Sequence, residues 1–327
     1  MKVLFAPMEG VTGRVFRRVH ARYYPGIDAY YAPFFSPSGD HHFPLRGLVD
    51  LLPEENPGVN LIPQLLTNRA ADFIWAAASL ADYGYGEINL NLGCPSGTVV
   101  AKKKGSGFLP LLDELEAFFD GVFSAPELNG LRISVKTRLG LADEAEFPAL
   151  LEIYRRYPLD SLIVHPRIRT DWYKGPVRPE GFRLALEGSP FPVIWNGDLF
   201  SPDDLRLLKA RFPETDTVML GRGLIAEPGL HRRMETGEAC DRDTLREFHA
   251  ALVEEYRSVL YGDTALCHRM KEVWAYLITH FEGGEKHFKR LVKAKSLPEY
   301  RLAAEAIFAE LPLRENAEMS GSLRWVL

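Results

Sequence analysis

Short β-rich runs alternate with amphipathic stretches along the first two thirds of the chain, at intervals of roughly 25 to 35 residues. The runs are "KVLFA" (2–6), "DAYYA" (28–32), "NLIPQ" (60–64), "EINLN" (87–91), "RISVK" (132–136), "SLIVH" (161–165), "PVIW" (192–195) and "DTVML" (216–220). Each predicts a strand. Between them lie helical patterns. "NRAADFIWAAASLADYG" opens on an Asn cap and stops at Gly84. "ADEAEFPALLEIYRRY" is amphipathic, with a start blurred by Pro148. "SPDDLRLLKARF" opens on a Ser cap with Pro in the first turn. Eight βα units in series predict an α/β fold, a (β/α)8 TIM barrel of the ~250-residue size usual for it. Beyond about residue 240 the period changes. "DRDTLREFHAALVEEYRSVLYG", "ALCHRMKEVWAYLITHF", "EKHFKRLVKAKS" and "LPEYRLAAEAIFAEL" read as helices with no strand between them. The expected organisation is a catalytic barrel over residues 1–238 and a small all-helical domain over 239–327, irregular from about Arg314.

Active sites of such barrels lie at the C-terminal ends of the strands. Pro7, Met8 and Glu9 follow the first run, and Gln64 ends the third. The fourth ends in Asn89 and Asn91, followed by Cys94; the fifth ends in Lys136 and Arg138, and the sixth in His165 and Arg167. The seventh gives Asn196, Gly197 and Asp198; the eighth gives Gly221, Arg222 and Gly223. One such residue is ordinarily structural. A hydrogen-bonding group at nearly every strand end points to a site. "NGD" and "GRG" make tight turns, and they also suit a phosphate, since glycine lets backbone approach and Arg222 adds a positive fork. A phosphate site, a lysine deep in the barrel and a cysteine above it point to FMN, with Gln64 and Lys136 at the pyrimidine edge of the flavin. Lys136 has a rival reading as a Schiff-base lysine.

Composition narrows the setting. The 327 residues are 46% hydrophobic and 25% charged, ordinary values for a globular protein. No run of about 18 apolar residues is present, so no membrane helix is expected. The opening "MKVLFAPMEGV" breaks at Pro7, too soon for a signal peptide. The three cysteines, Cys94, Cys240 and Cys267, are odd in number and widely spaced. They form neither a disulfide framework nor a zinc pattern; no metal is expected, and a reducing cytoplasmic setting fits. The net charge of −5 argues against a nucleic-acid binder. The basic residues are clustered, however: Lys102, Lys103 and Lys104; Arg167, Arg169 and Lys174; and Lys286, Lys289, Arg290, Lys293 and Lys295. Any one cluster alone reads as a solvated face.

"APMEGVT" (6–12), "LNLGCPSGTV" (90–99), "SVKTRLG" (134–140), "IVHPR" (163–167), "NGD" (196–198) and "GRG" (221–223) together resemble the tRNA-dihydrouridine synthases. The order and spacing agree over the whole barrel, and "HRMKEVWAYL" (268–277) is similar in placement to a family helix. The resemblance implies FMN, NADPH as its reductant, and reduction of the C5=C6 bond of a uridine in tRNA. By position it implies cofactor contacts at Pro7, Met8, Glu9, Gln64, Lys136, His165, Asn196, Gly197, Asp198, Gly221 and Arg222. It implies a catalytic cysteine at Cys94, and Asn91 beside both flavin and uracil. Hydride at C6 leaves charge toward C5, which needs an acid; a thiol, with a pKa of about 8.5, still holds its proton near neutral pH and can supply it. The uridine must be extruded to reach a barrel mouth. Lys102, Lys103, Lys104 and Arg167, with the basic cluster of the tail, are expected to hold RNA phosphates. The sequence departs from the family at "HPR", where Pro166 replaces a small residue and is expected to stiffen a loop. An FMN barrel enzyme acting on a small molecule would need neither the lysines nor the tail. A monomer is the expected state. The modified uridine and the choice between NADPH and NADH are left open.

Overall fold

The computed structural model describes residues 1–43 and 45–317. Nine parallel strands occupy the positions of the eight expected ones: β1 Lys2–Phe5, β2 Ala29–Tyr31, β3 Leu61–Ile62, β4 Gln64–Leu65, β5 Glu87–Leu92, β6 Arg132–Gly140, β7 Leu162–Ile168, β8 Val193–Trp195 and β9 Thr217–Leu220. Their lateral order, β3-β2-β1-β9-β8-β7-β6-β5-β4, runs once around a barrel. The count exceeds eight because Pro63 splits the third run. Proline has no N–H for the ladder, yet its carbonyl still accepts from the Asn89 amide at 2.9 Å. β3 therefore pairs with β2 and β4 with β5, and residues 61–65 close the ring.

Alternation sets what each strand buries. In β1 and just after it, Val3 and Phe5 join the outer core under the helices, whereas Leu4 and Ala6 point inward. Ala29, Tyr31, Ile62, Ile163, Ile194 and Met219 meet them inside the barrel. In β5, Ile88, Leu90 and Leu92 face the outer core, so Glu87, Asn89 and Asn91 point into the barrel.

The helical layer follows the amphipathic stretches. Asp143 caps a short turn leading into Phe147–Tyr154, which carries Pro148 in its first turn. Ser201 accepts from the Asp204 amide at 3.2 Å and opens Pro202–Arg211. The helix Ala70–Asp82 starts differently from expectation: Arg69 occupies the cap position, and Asn68 instead donates to the Lys102 carbonyl at 3.4 Å. Three strands are longer than predicted, β5 by one residue to Leu92. β6 continues to Gly140 and β7 to Ile168, with an irregularity between Arg138 and Gly140. Pro166 therefore sits inside a strand, not in a loop.

Among the described residues, four α-helices make up the C-terminal part: Arg242–Val259, Asp263–Leu277, Glu285–Lys293 and Leu297–Glu310. Phe248 of the first meets Phe16 edge-on at 5.9 Å, and Glu255 pairs with Arg18 and Arg22 of the barrel helix Arg14–Tyr23. Of the irregular end expected from Arg314, residues 318–327 lie outside the described residues. Among the described residues, no helix is long and apolar enough to cross a membrane.

Candidate active site

A cavity of about 280 Å3 opens at the C-terminal mouth of the barrel. Pro7, Met8, Glu9, Gln64, Asn91, Cys94, Lys136, His165, Asn196, Gly197, Asp198, Gly221 and Arg222 all line it. The convergence expected from the strand ends is thus present in space.

Cys94 is held by its own loop. The side-chain oxygen of Asn91 accepts from the amides of Gly93 (3.0 Å) and Cys94 (2.9 Å), which fixes the turn at the end of β5. The "GSG" turn closes from the other side: Ser106 donates to the Cys94 carbonyl from its amide (3.2 Å) and its hydroxyl (2.8 Å). Gly105 sits there at φ +56°, and a Cβ on it would lie 3.0 Å from the Cys94 Cβ and carbonyl oxygen. Burial pushes the Cys94 thiol above its ordinary pKa, with Glu9 acting the same way and Arg138 and Lys136 opposing. Cys94 is half-buried and protonated at neutral pH.

Asn91 is itself oriented. Its amide donates to Gln64 Oε1 (2.7 Å), and Gln64 Nε2 donates to Asn89 Oδ1 (2.7 Å). Asn89 donates to Ser134 Oγ (2.9 Å), and Ser134 to Glu87 (2.7 Å), which Tyr31 also approaches at 3.3 Å. This polar column runs up one wall of the barrel and ends on the Cys94 amide. Each amide in it has one donor end and one acceptor end committed.

The rim of the mouth is cationic. Arg138 donates to the carbonyls of Gly93, Ile168 and Trp172, each at 2.9 Å, and ties three loops together. Asp198 is buried between Arg167 and Arg222. Arg167 also meets His165 Nε2 at 3.2 Å. Arginine can only donate, so Nε2 accepts and the histidine proton is on Nδ1. His165 is held neutral by burial and by Arg138, Lys136, Arg167 and Arg222 around it. Burial and Arg138 bring the Lys136 ammonium down to about 7, against the pull of Cys94.

Several residues are not where the sequence put them, or went unassigned. Arg167 was expected on the RNA; it is 1% exposed, with all three guanidinium nitrogens bonded inside the chain. β7 extends past Pro166, so Arg167 follows His165 by two and points inward with it. Lys102 and Lys103 are exposed and lie outside the cavity, Lys103 near Glu114 at 3.6 Å, and Lys104 donates to Ser36 at 3.0 Å. Unassigned before were Arg138, Tyr173, Phe34, Phe200 and Tyr276, all in the cavity wall. Arg138 stood among the strand-end residues without a role, and it shares strand parity with Ser134 and Lys136. Tyr276 comes from the helix Asp263–Leu277, so the C-terminal part completes the pocket.

The family profile described as "Dihydrouridine synthase (Dus)" matches residues 4–311. The chain belongs to the dihydrouridine synthase family. Dihydrouridine synthases are FMN-dependent oxidoreductases, and this chain is one of that class. A relative named "Probable tRNA-dihydrouridine synthase 1" from Synechocystis sp. is 29% identical over 91% of this chain and 84% of its own length. The "Probable tRNA-dihydrouridine synthase" of Staphylococcus epidermidis is 27% identical over 96% and 95%. Among solved structures, morphinone reductase in complex with tetrahydroNAD aligns with a TM-score of 0.51 at 14% identity, over 73% of this chain and 88% of that one. That likeness is one of fold, a TIM barrel.

Proposed function

We propose that this dihydrouridine synthase family member reduces uridine in tRNA at the mouth of its barrel, with FMN as the cofactor and NADPH as the reductant. The observation that carries the reading is the convergence of a protonated half-buried thiol, an oriented amide pair and a cationic rim on one cavity.

The residues present fit FMN. Four cations, Lys136, Arg138, Arg167 and Arg222, crowd around His165, while the rim carboxylate bonded to two of them is Asp198. That excess of positive charge suits a phosphate and an anionic flavin ring. A Cβ on Gly223 would lie 2.5 Å from the Leu199 carbonyl oxygen, so the helix start after β9 packs directly on the loop after β8. The amides of Gly197, Asp198 and Leu199 make no hydrogen bond among the described residues. Asn196, Gly197, Asp198, Gly221 and Arg222 would hold the phosphate end. Pro7, Met8, Glu9, Gln64, Lys136 and His165 would hold the ring. When bound, the flavin supplies a hydride to C6 of uracil.

The chain's own residues do the rest. Asn91, locked by Gln64, orients the base. Cys94 keeps a proton ready for C5, and its raised pKa keeps that proton in place until charge develops there. Lys102, Lys103 and Lys104 would sit on phosphates next to the extruded uridine. Residues 1–238 would carry the redox chemistry and 239–327 the RNA, acting in the cytoplasm. The test is direct. Purified protein should be yellow, release FMN on denaturation, and form dihydrouridine in unmodified tRNA with NADPH. Reduction of free uridine that tRNA does not compete with would overturn the RNA reading.

A further inference from the structure

Trp172 is 44% exposed, whereas Trp195 and Trp274 are fully buried. It also sits at φ 51°, ψ −107°, a conformation that a bulky side chain rarely adopts. The loop enforces this. Arg138 holds the Trp172 carbonyl at 2.9 Å, and the Trp172 amide donates to the Arg169 carbonyl at 3.1 Å. Asp171 accepts from the Ile168 amide at 3.0 Å and pairs with Arg178. A strained, exposed indole contributes little to folding, since most of what it could bury stays in water.

Its position is specific. The Arg169 guanidinium lies over the indole at 5.3 Å while its Nε donates to the Pro95 carbonyl at 3.2 Å. The indole plane is thereby pinned beside the residue that follows Cys94. Tyr173, next in sequence, lines the cavity and stacks on His165 at 6.0 Å. The wall therefore runs from His165 through Tyr173 outward to Trp172, with the exposed Lys174 beyond.

An extruded base leaves its neighbours without a stacking partner. A flat aromatic face backed by a guanidinium replaces such a partner for any base, because every base has a π face. The geometry points to Trp172 as the platform on which the nucleotide next to the extruded uridine stacks. This rests on the tRNA reading above and adds a contact surface to it.

The holoenzyme carrying Trp172→Gly tests it, because glycine relieves the backbone while deleting the ring. Its tRNA affinity at fixed salt should fall roughly 5- to 150-fold. The slope of log K against log salt should stay as in the wild type, since no phosphate contact is lost. Thermal stability should hold or rise, and the KM for NADPH should not move. Trp172→Phe should keep most of the affinity. Undiminished tRNA binding in Trp172→Gly would overturn the platform, as would a loss that appears only with a fall in Tm, or a rise in the KM for NADPH. If the wild type forms dihydrouridine while Trp172→Gly binds tRNA normally, this inference fails alone. A wild type that neither binds tRNA nor modifies it takes both readings down.

Discussion

The two walls of the barrel interior are built from opposite chemistry within one sheet. Strands β1–β3 and β7–β9 point Leu4, Ala6, Ala29, Tyr31, Ile62, Ile163, Ile194 and Met219 at one another. Strands β4–β6 point Gln64, Glu87, Asn89, Asn91, Ser134 and Lys136 into the same space. The apolar wall gains chiefly from burial, with Tyr31 sending its hydroxyl across to Glu87, and tolerates volume-conserving changes. The polar wall must satisfy each donor and acceptor, so it gains little net stability but allows one arrangement only. One wall supplies stability and the other supplies orientation, and Cys94 hangs from the oriented one.

Substitutions in each wall should therefore fail in different ways. The largest effect is expected at the top of the polar wall. Cys94→Ala removes the acid but leaves the flavin pocket intact. Flavin reduction by NADPH should stay near normal, while reoxidation by tRNA should slow about 10²- to 10⁴-fold. Rapid-mixing absorbance separates the two steps; tRNA reoxidation at the wild-type rate would dismiss Cys94 as the acid. Next comes the apolar wall. Leu4→Ala should cost about 2–5 kcal/mol of stability in denaturant titration, with the pH profile of Cys94 alkylation unchanged. Asn89→Leu should cost about 1–3 kcal/mol, because Gln64 and Ser134 lose their buried partner, and it should also shift that alkylation profile. If both variants left the profile alone, orientation would not pass down the column.

The last test concerns Lys136. Its folded pKa, about 7, lies below the ordinary lysine value of about 10.4. Between those values the unfolded chain holds a proton that the folded chain lacks, so stability rises with pH across that window. In flavin-free protein, the Tm of wild type minus that of Lys136→Met should climb from pH 7 to pH 10. A flat difference in scanning calorimetry would show that the ammonium is not desolvated.

Much of this was legible because a strand has period two. Alternation placed the eight β-rich runs and their end residues, and the cavity gathers most of them, Asn89 and Arg167 lying outside its lining. Arg167 was misjudged for the same reason that His165 was found. Both follow one parity, but the strand was taken to end at His165, and a proline normally supports ending it there. The amphipathic pattern predicted the tail helices; the reach of Tyr276 into the pocket is a tertiary fact that no local pattern encodes. The column from Glu87 to Cys94 was half visible: the alternating polar residues of β5 were in the sequence, but their partners across the ladder depend on register.

Pro63 has one further consequence. The ring closes through two strands of two residues each, Leu61–Ile62 and Gln64–Leu65. A cylinder under thermal stress parts along its shortest seam. Backbone amides flanking residues 61–65 should thus be the first of the barrel to exchange with deuterium. Gln64 stands on that seam and faces the cavity, so whatever fills the cavity also rivets the staves together.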